Sequence, residues 1–170
     1  LAPATIDVLG FADEGVDSPV QALPRFGDAH PGHPYARLPA DLIAASIDWF
    51  KGRLPALGYR GGLEENVLLP TAVGVAKPSA VVPETMASGD LRAGGRFVFV
   101  GLRGLKDFYP AYLAENLGRV SGVSARAIEL TPPVEGEADV GSLGFAKRFE
   151  QPAFRDVVVR ALAGRVEPDE

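Results

Sequence analysis

The most suggestive arrangement in this sequence is the run Gly101, Leu102, Arg103, Gly104, Leu105, Lys106. It follows an apolar β-branched stretch and precedes a helical pattern. Backbone amides at such a helix start, aided by the helix dipole, can hold an anion. Arg103 and Lys106 would add fixed positive charge. Ligands of open α/β sheets also favour the carboxyl ends of strands. The run is neither the three-glycine dinucleotide fingerprint nor a P-loop. Two glycines at a tight turn also serve conformation alone, so ligand contact and pure turn chemistry both stay open here.

His30 and His33, in His-Pro-Gly-His-Pro, are the two histidines of the chain. A metal site needs three or four ligands, and the nearest carboxylate is Asp28, so a plain loop is the simpler reading. Lys77, Arg92 and Arg96 flank apolar runs and would suit a phosphate, although long basic side chains at strand rims usually only solvate the rim. Ser46, Ser79 and Ser88 have no evident base partner, and no nucleophile elbow occurs. Trp49 and Phe50 read as core or interface. Cysteine is absent, which excludes disulfides, thiolate metal ligands and thiol nucleophiles from this chain.

Composition narrows the function classes further. The chain has 170 residues, 46% hydrophobic and 23% charged, the profile of a folded globular domain. Its net charge of −5 argues against a nucleic-acid surface, which needs clustered positive charge. The longest stretch without a charged residue, 66–76, has 11 residues, against about 20 for a membrane span. The chain begins Leu1, Ala2, Pro3, without an initiator methionine or signal peptide, and is expected to be a piece of a longer protein.

The elements that must position these residues follow from periodicity. Residues 1–37 are dense in Gly, Pro and Asp and predict an irregular linker or docking segment. Ile43, Ile47, Phe50 and Leu54 make one helical face and predict a helix over 39–57 that Pro55 ends or bends. Short apolar runs cut by Gly and Pro over 59–86 predict a β-hairpin or meander, with Pro70, Pro78 and Pro83 at strand ends or edges. The run 96–101 predicts a strand buried on both faces. Asp107 is placed to cap the helix that follows, in which Tyr109, Leu113 and Leu117 form a stripe and which Gly118 ends. Residues 124–131 predict the next strand, with Ala125 and Ala127, and further along Ile128 and Leu130, as its buried positions. An acidic loop follows Pro132, then two short helices over 141–150 and 152–163, with a strand the competing reading for Val157, Val158 and Val159. The fold class is α/β with α+β character. It comprises a small mixed sheet with one right-handed βαβ unit (about 96–131), the hairpin or meander (about 59–86) and flanking helices. One domain spans 38–166, and 167–170 is a frayed tail.

Several blocks occur together in a known order. They are Ile6-Asp-Val-Leu9, His33-Pro-Tyr35, Leu69-Pro-Thr-Ala-Val-Gly74 with Lys77-Pro78, Phe99-Val-Gly-Leu-Arg-Gly-Leu-Lys-Asp-Phe108, and Phe145-Ala-Lys-Arg-Phe149. Together they resemble the B subunit of the anaerobic, flavin-dependent glycerol-3-phosphate dehydrogenase, over nearly the whole chain. The resemblance implies a cap-like or substrate-side middle region, since neither the N-terminal flavin fingerprint nor a glycine-rich closing segment is present. It implies oxidation of sn-glycerol 3-phosphate, with FMN or FAD held in the parent protein and no cofactor bound to this piece. The implied partners are the flanking flavin domain of the same chain and the dehydrogenase A and C subunits, which pass electrons to quinone. The implied location is cytoplasmic, peripheral at the inner face of the cell membrane. In this reading Arg103 and Lys106 are the leading substrate-phosphate contacts, with Gly101 and Gly104 at the same turn. His33 and Tyr35 come second, with Lys77 a further candidate. Two other readings compete: a free-standing phosphate- or nucleotide-binding domain using 101–106, and a non-catalytic docking module with an exposed apolar patch under 1–37.

Overall fold

A computed structural model describes residues 4–106, 108–133 and 140–166. The chain divides into two compact units: unit 1 is Leu1–Pro70 with Ala76–Arg92, and unit 2 is Thr71–Val75 with Ala93–Glu170.

In unit 1, Ile6 exchanges backbone hydrogen bonds with Val81. The stretch expected to be irregular contains a helix, α1 (Pro19–Ala29). Its prolines misled the sequence reading. Pro19 occupies the first turn, where its missing amide costs nothing. Pro24 lies inside the helix and is tolerated because Val20, Leu23 and Phe26 pack into the core beside it. Helix α2 (Ala40–Arg53) follows, shorter than expected. The chain leaves it at Leu54 for a single tight turn, Pro55–Leu57, and Gly58 closes that turn in the left-handed region at φ 55°. Ala40, Ile43, Ala44 and Ile47 face a core made with Leu9, Leu23, Leu63, Ala80 and Val81.

Four short strands complete unit 1: β1 (Arg60–Gly61), β2 (Val67–Pro70), β3 (Ala76–Ser79) and β4 (Val81–Val82). β2 and β3 form the expected hairpin, pairing Val67 with Ser79 and Pro70 with Ala76. β1 pairs antiparallel with β4. Pro70 and Pro78 sit in a two-stranded ladder, where every strand is an edge and a lost donor can face outward. Pro83 precedes a one-turn helix, α3 (Glu84–Ala87).

Unit 2 is built on the β–α–β segment: β5 (Gly95–Leu102), α4 (Pro110–Leu117) and β6 (Val123–Leu130). β5 and β6 pair in parallel over eight residues, Gly95 with Val123 through Leu102 with Leu130. β5 is mostly half-buried, not buried on both faces, because it has a neighbouring strand on one side alone among the described residues. One face of the ladder offers Val98, Val100, Leu102, Ile128 and Leu130 to α5 (Ser142–Phe149) and α6 (Pro152–Leu162). In β6, Val123, Ile128 and Leu130 are buried, and Ala125 and Ala127 are half-buried. In α4, Leu113, Ala114 and Leu117 are buried, while Tyr109 precedes the helix and is exposed. The Val157–Val159 run is helical. Its β-branched residues are accepted because Phe154 and Val158 fill the same core. The class is α/β as expected, with the described strands in three separate pairs in place of one sheet. Asp107, most of the acidic loop and the 167–170 tail lie outside the described residues.

Candidate functional site

The Gly101–Gly104 turn has a steric explanation. A Cβ on Gly101 would lie 2.5 Å from Pro110 Cγ, so the first turn of α4 can approach β5 only over a glycine. Gly104 adopts φ 89°, a conformation that penalises any side chain. Its carbonyl accepts from Val140 N at 2.8 Å. Arg103 donates its backbone amide to Leu130 O at 2.7 Å and its Nε to Glu129 Oε1 at 3.1 Å. Its side chain is 70% exposed, and Lys106 is exposed beside it. Gly101 and Gly104 thus each have a conformational reason to be glycine, and Arg103 has a carboxylate neighbour in Glu129.

In unit 1 the structure brings three candidates together. His33 Nδ1 accepts from Tyr35 N at 3.2 Å and caps a single helical turn, Pro34–Ala36. That bond requires Nδ1 to be unprotonated, leaving the neutral ring's proton on Nε2. The His33 and Tyr35 rings lie 4.8 Å apart, and Phe26 packs edge-on to His33 at 5.0 Å. Burial raises the Tyr35 pKa, and the charge of nearby Asp7 raises it further, so the phenol stays a proton donor. Asp7 in turn accepts from Lys77 Nζ at 2.7 Å and from Thr5 Oγ1 at 3.2 Å. Lys77 also reaches Thr5 Oγ1 at 2.9 Å. Partial burial works to raise the Asp7 pKa. Hydrogen bonding from Lys77, the proximity of Ser79, the Lys77 charge and the Thr5 hydroxyl outweigh it, so the carboxyl sits below its usual value. Ser79 Oγ is buried and close, yet forms no hydrogen bond of full geometry.

The sequence reading missed Asp7 and Thr5. Their local signal was a polar residue between Ile6 and Val8 in a two-residue alternation. It also missed Asn66, 2% exposed, whose Nδ2 donates to Leu9 O at 3.0 Å and Val16 O at 2.7 Å. That amide fixes both ends of the 10–15 loop. Arg92 is structural: it grips Asp90 through Nε and Nη2 at 2.8 and 2.6 Å, and meets Glu65 at 2.6 Å. Its pKa rises, chiefly through the Asp90 hydrogen bonds. Burial would raise Asp90, but hydrogen bonds from Arg92 and Leu68 hold it below its usual value. Ser46 donates to Leu42 O at 2.8 Å. No group of three or more His, Cys, Asp or Glu side chains gathers as a metal site among the described residues.

Chemically, the Lys77–Asp7–Tyr35–Thr5 group offers an ammonium, a carboxylate, a phenol and a hydroxyl within one patch. Such a set suits hydrogen bonding to a hydroxylated or phosphorylated molecule.

No family model matches the chain, and no solved structure matches it. Curated proteins do. The probable anaerobic glycerol-3-phosphate dehydrogenase B subunit of Halobacterium salinarum is 30% identical over 145 residues, covering 83% of this chain and 33% of that protein. The anaerobic glycerol-3-phosphate dehydrogenase B subunit of Actinobacillus succinogenes is 29% identical, covering 96% and 39%. That of Pectobacterium carotovorum is 25% identical, covering 93% and 40%. The chain thus spans about a third to two fifths of the length of the curated relatives it matches. The blocks singled out in the sequence pointed the same way, and the chain is a homologue of the anaerobic glycerol-3-phosphate dehydrogenase B subunits.

Proposed function

We propose that this chain is the middle, substrate-side region of the B subunit of a flavin-dependent sn-glycerol-3-phosphate dehydrogenase. The parent protein works in anaerobic glycerol catabolism and passes electrons to quinone with A and C subunits, peripheral to the cell membrane. FMN or FAD carries the electron chemistry and is held by a flanking domain of the same polypeptide. This chain supplies a wall of the substrate cavity, excludes water, and presents polar groups to the substrate. The observation that carries the reading is the match to B subunits across 83–96% of this chain but only 33–39% of theirs. No described helix is long and apolar enough to cross a membrane.

Within this reading the Lys77, Tyr35 and Asp7 group is the better candidate for substrate contact, ahead of Arg103 and Lys106. The experiment is to purify the complete gene product and the 170-residue chain separately. The complete protein is expected to show a flavin absorption band and to reduce an artificial acceptor with glycerol 3-phosphate when its partner subunits are present. This chain alone is expected to be colourless and inactive. Turnover by this chain unaided would overturn the reading.

A further inference from the structure

Helix α2 is apolar on two opposite sides. Its inner side, Ala40, Ile43, Ala44 and Ile47, is in the unit 1 core. At 100° per residue, Leu42, Ala45 and Trp49 share the opposite side, and all three are exposed, Leu42 by 51% and Trp49 by 64%. Leu38, one turn before them, is 41% exposed. The two polar residues on that side do little to wet it. Ser46 turns its hydroxyl back to Leu42 O at 2.8 Å. Arg53 lays its guanidinium over the Trp49 ring, 5.1 Å from the centroid. No carboxylate lies within ion-pairing distance of Arg53 among the described residues. Asp41 and Asp48 keep the flank between the two apolar sides polar, and an aromatic beside an arginine on the outer side is the composition of interface hot spots.

We infer that the outer face of α2, centred on Trp49 and Arg53, docks against another part of the same polypeptide, through an apolar surface that carries a carboxylate for Arg53. The inference rests on the proposed function, which makes this chain one region of a longer protein. Charge complementarity sets the partner's chemistry: a stacked guanidinium with no carboxylate partner among the described residues, at the edge of an apolar stripe, calls for an acidic group at the rim of an apolar face. The length of the relatives, of which this chain matches 33–40%, supplies the remaining chain that would carry it.

The test uses hydroxyl-radical footprinting of Trp49, read on its own peptide, in the complete gene product and in the isolated chain. Trp49 is the single tryptophan of the chain, so its emission gives a second readout in the isolated piece. The expected result is a several-fold loss of Trp49 oxidation in the complete protein. The companion variant Trp49→Ala should destabilise the complete protein and leave the isolated chain's unfolding midpoint unchanged. Equal oxidation in both proteins would overturn the docking face while leaving the proposed function standing. Protection that grows with the concentration of the isolated chain would assign the face to a second copy and overturn the inference. A gene product no longer than this chain would remove the partner and sink both readings together.

Discussion

Unit 1 is tied together by side chains that reach far along the sequence to backbone carbonyls. Asn66 holds Leu9 and Val16, Tyr59 holds Ala4, and Lys51 holds Gly61. Both buried polar side chains among the described residues, Asn66 and Ser79, lie in it, and its strands run two to four residues. Unit 2 rests on an eight-residue parallel ladder covered by helices, and its core cluster is apolar throughout. Regular backbone pairing can be specified by local residue type. Unit 2 also meets distant carbonyls with side chains, Asn116 to Val73 O, Arg126 to Arg165 O and Arg165 to Glu129 O, but those bonds are exposed, whereas the Asn66 amide of unit 1 is buried, where an unmet carbonyl costs most.

The comparison breaks most readily at Leu117, which is fully buried in α4. Leu117→Ala should cost about 2–5 kcal/mol, read by denaturant unfolding. Amide exchange should accelerate in β5, α4 and β6. Equal acceleration in unit 1 would show that the two regions open as one. Asn66→Ala strands two carbonyls and should cost roughly 1–3 kcal/mol, with exchange rising across residues 9–17. An unchanged loop would remove the argument that side chains organise unit 1.

Acid sharpens the contrast with a smaller effect. Asp7 and Asp90, both in unit 1, have folded pKa values below the ordinary 3.8. A depressed carboxyl pKa adds stability that is complete above its unfolded value and fades as pH falls through the folded one. Unit 1 should therefore begin to weaken as pH drops past about 4, and Trp49 fluorescence will follow it. Asp7→Asn should flatten that part of the pH profile; an unchanged profile would detach the Lys77–Asp7 pair from stability. Smallest of all is Arg103→Ala. The exposed Arg103–Glu129 pair should be worth under about 1 kcal/mol. A larger loss of stability, or loss of phosphate binding by the isolated chain, would restore the 101–106 turn as a candidate site.

The parts of the fold that were readable share one property: their signal is local. The β-branched run before Gly101, the four-three-four spacing after Pro39 and the hairpin around Thr71 each declare themselves within a dozen residues. α1 was hidden because its prolines count as breakers by composition, and only their positions, first turn and core-packed interior, make them harmless. The candidate site was half legible. His33, Tyr35 and Lys77 came from blocks of sequence resemblance, whereas their connection runs through Asp7, 70 residues from Lys77. Gly101 was equally ambiguous from sequence, because the atom that demands a glycine there belongs to Pro110, in the helix after the turn.

The allocation of Thr71–Val75 has a practical consequence. Gly74 sits at φ 76° with Leu113 O only 2.4 Å from where its Cβ would be, and Asn116 Nδ2 donates to Val73 O at 2.9 Å. These five residues are thus part of one unit while the strands before and after them belong to the other. The polypeptide changes allegiance three times, so no single cut yields both units whole: a piece ending at Arg92 keeps every residue of unit 1 and takes Thr71–Val75 from unit 2. Obtaining both units complete takes a graft or a circular permutation rather than a shortened gene.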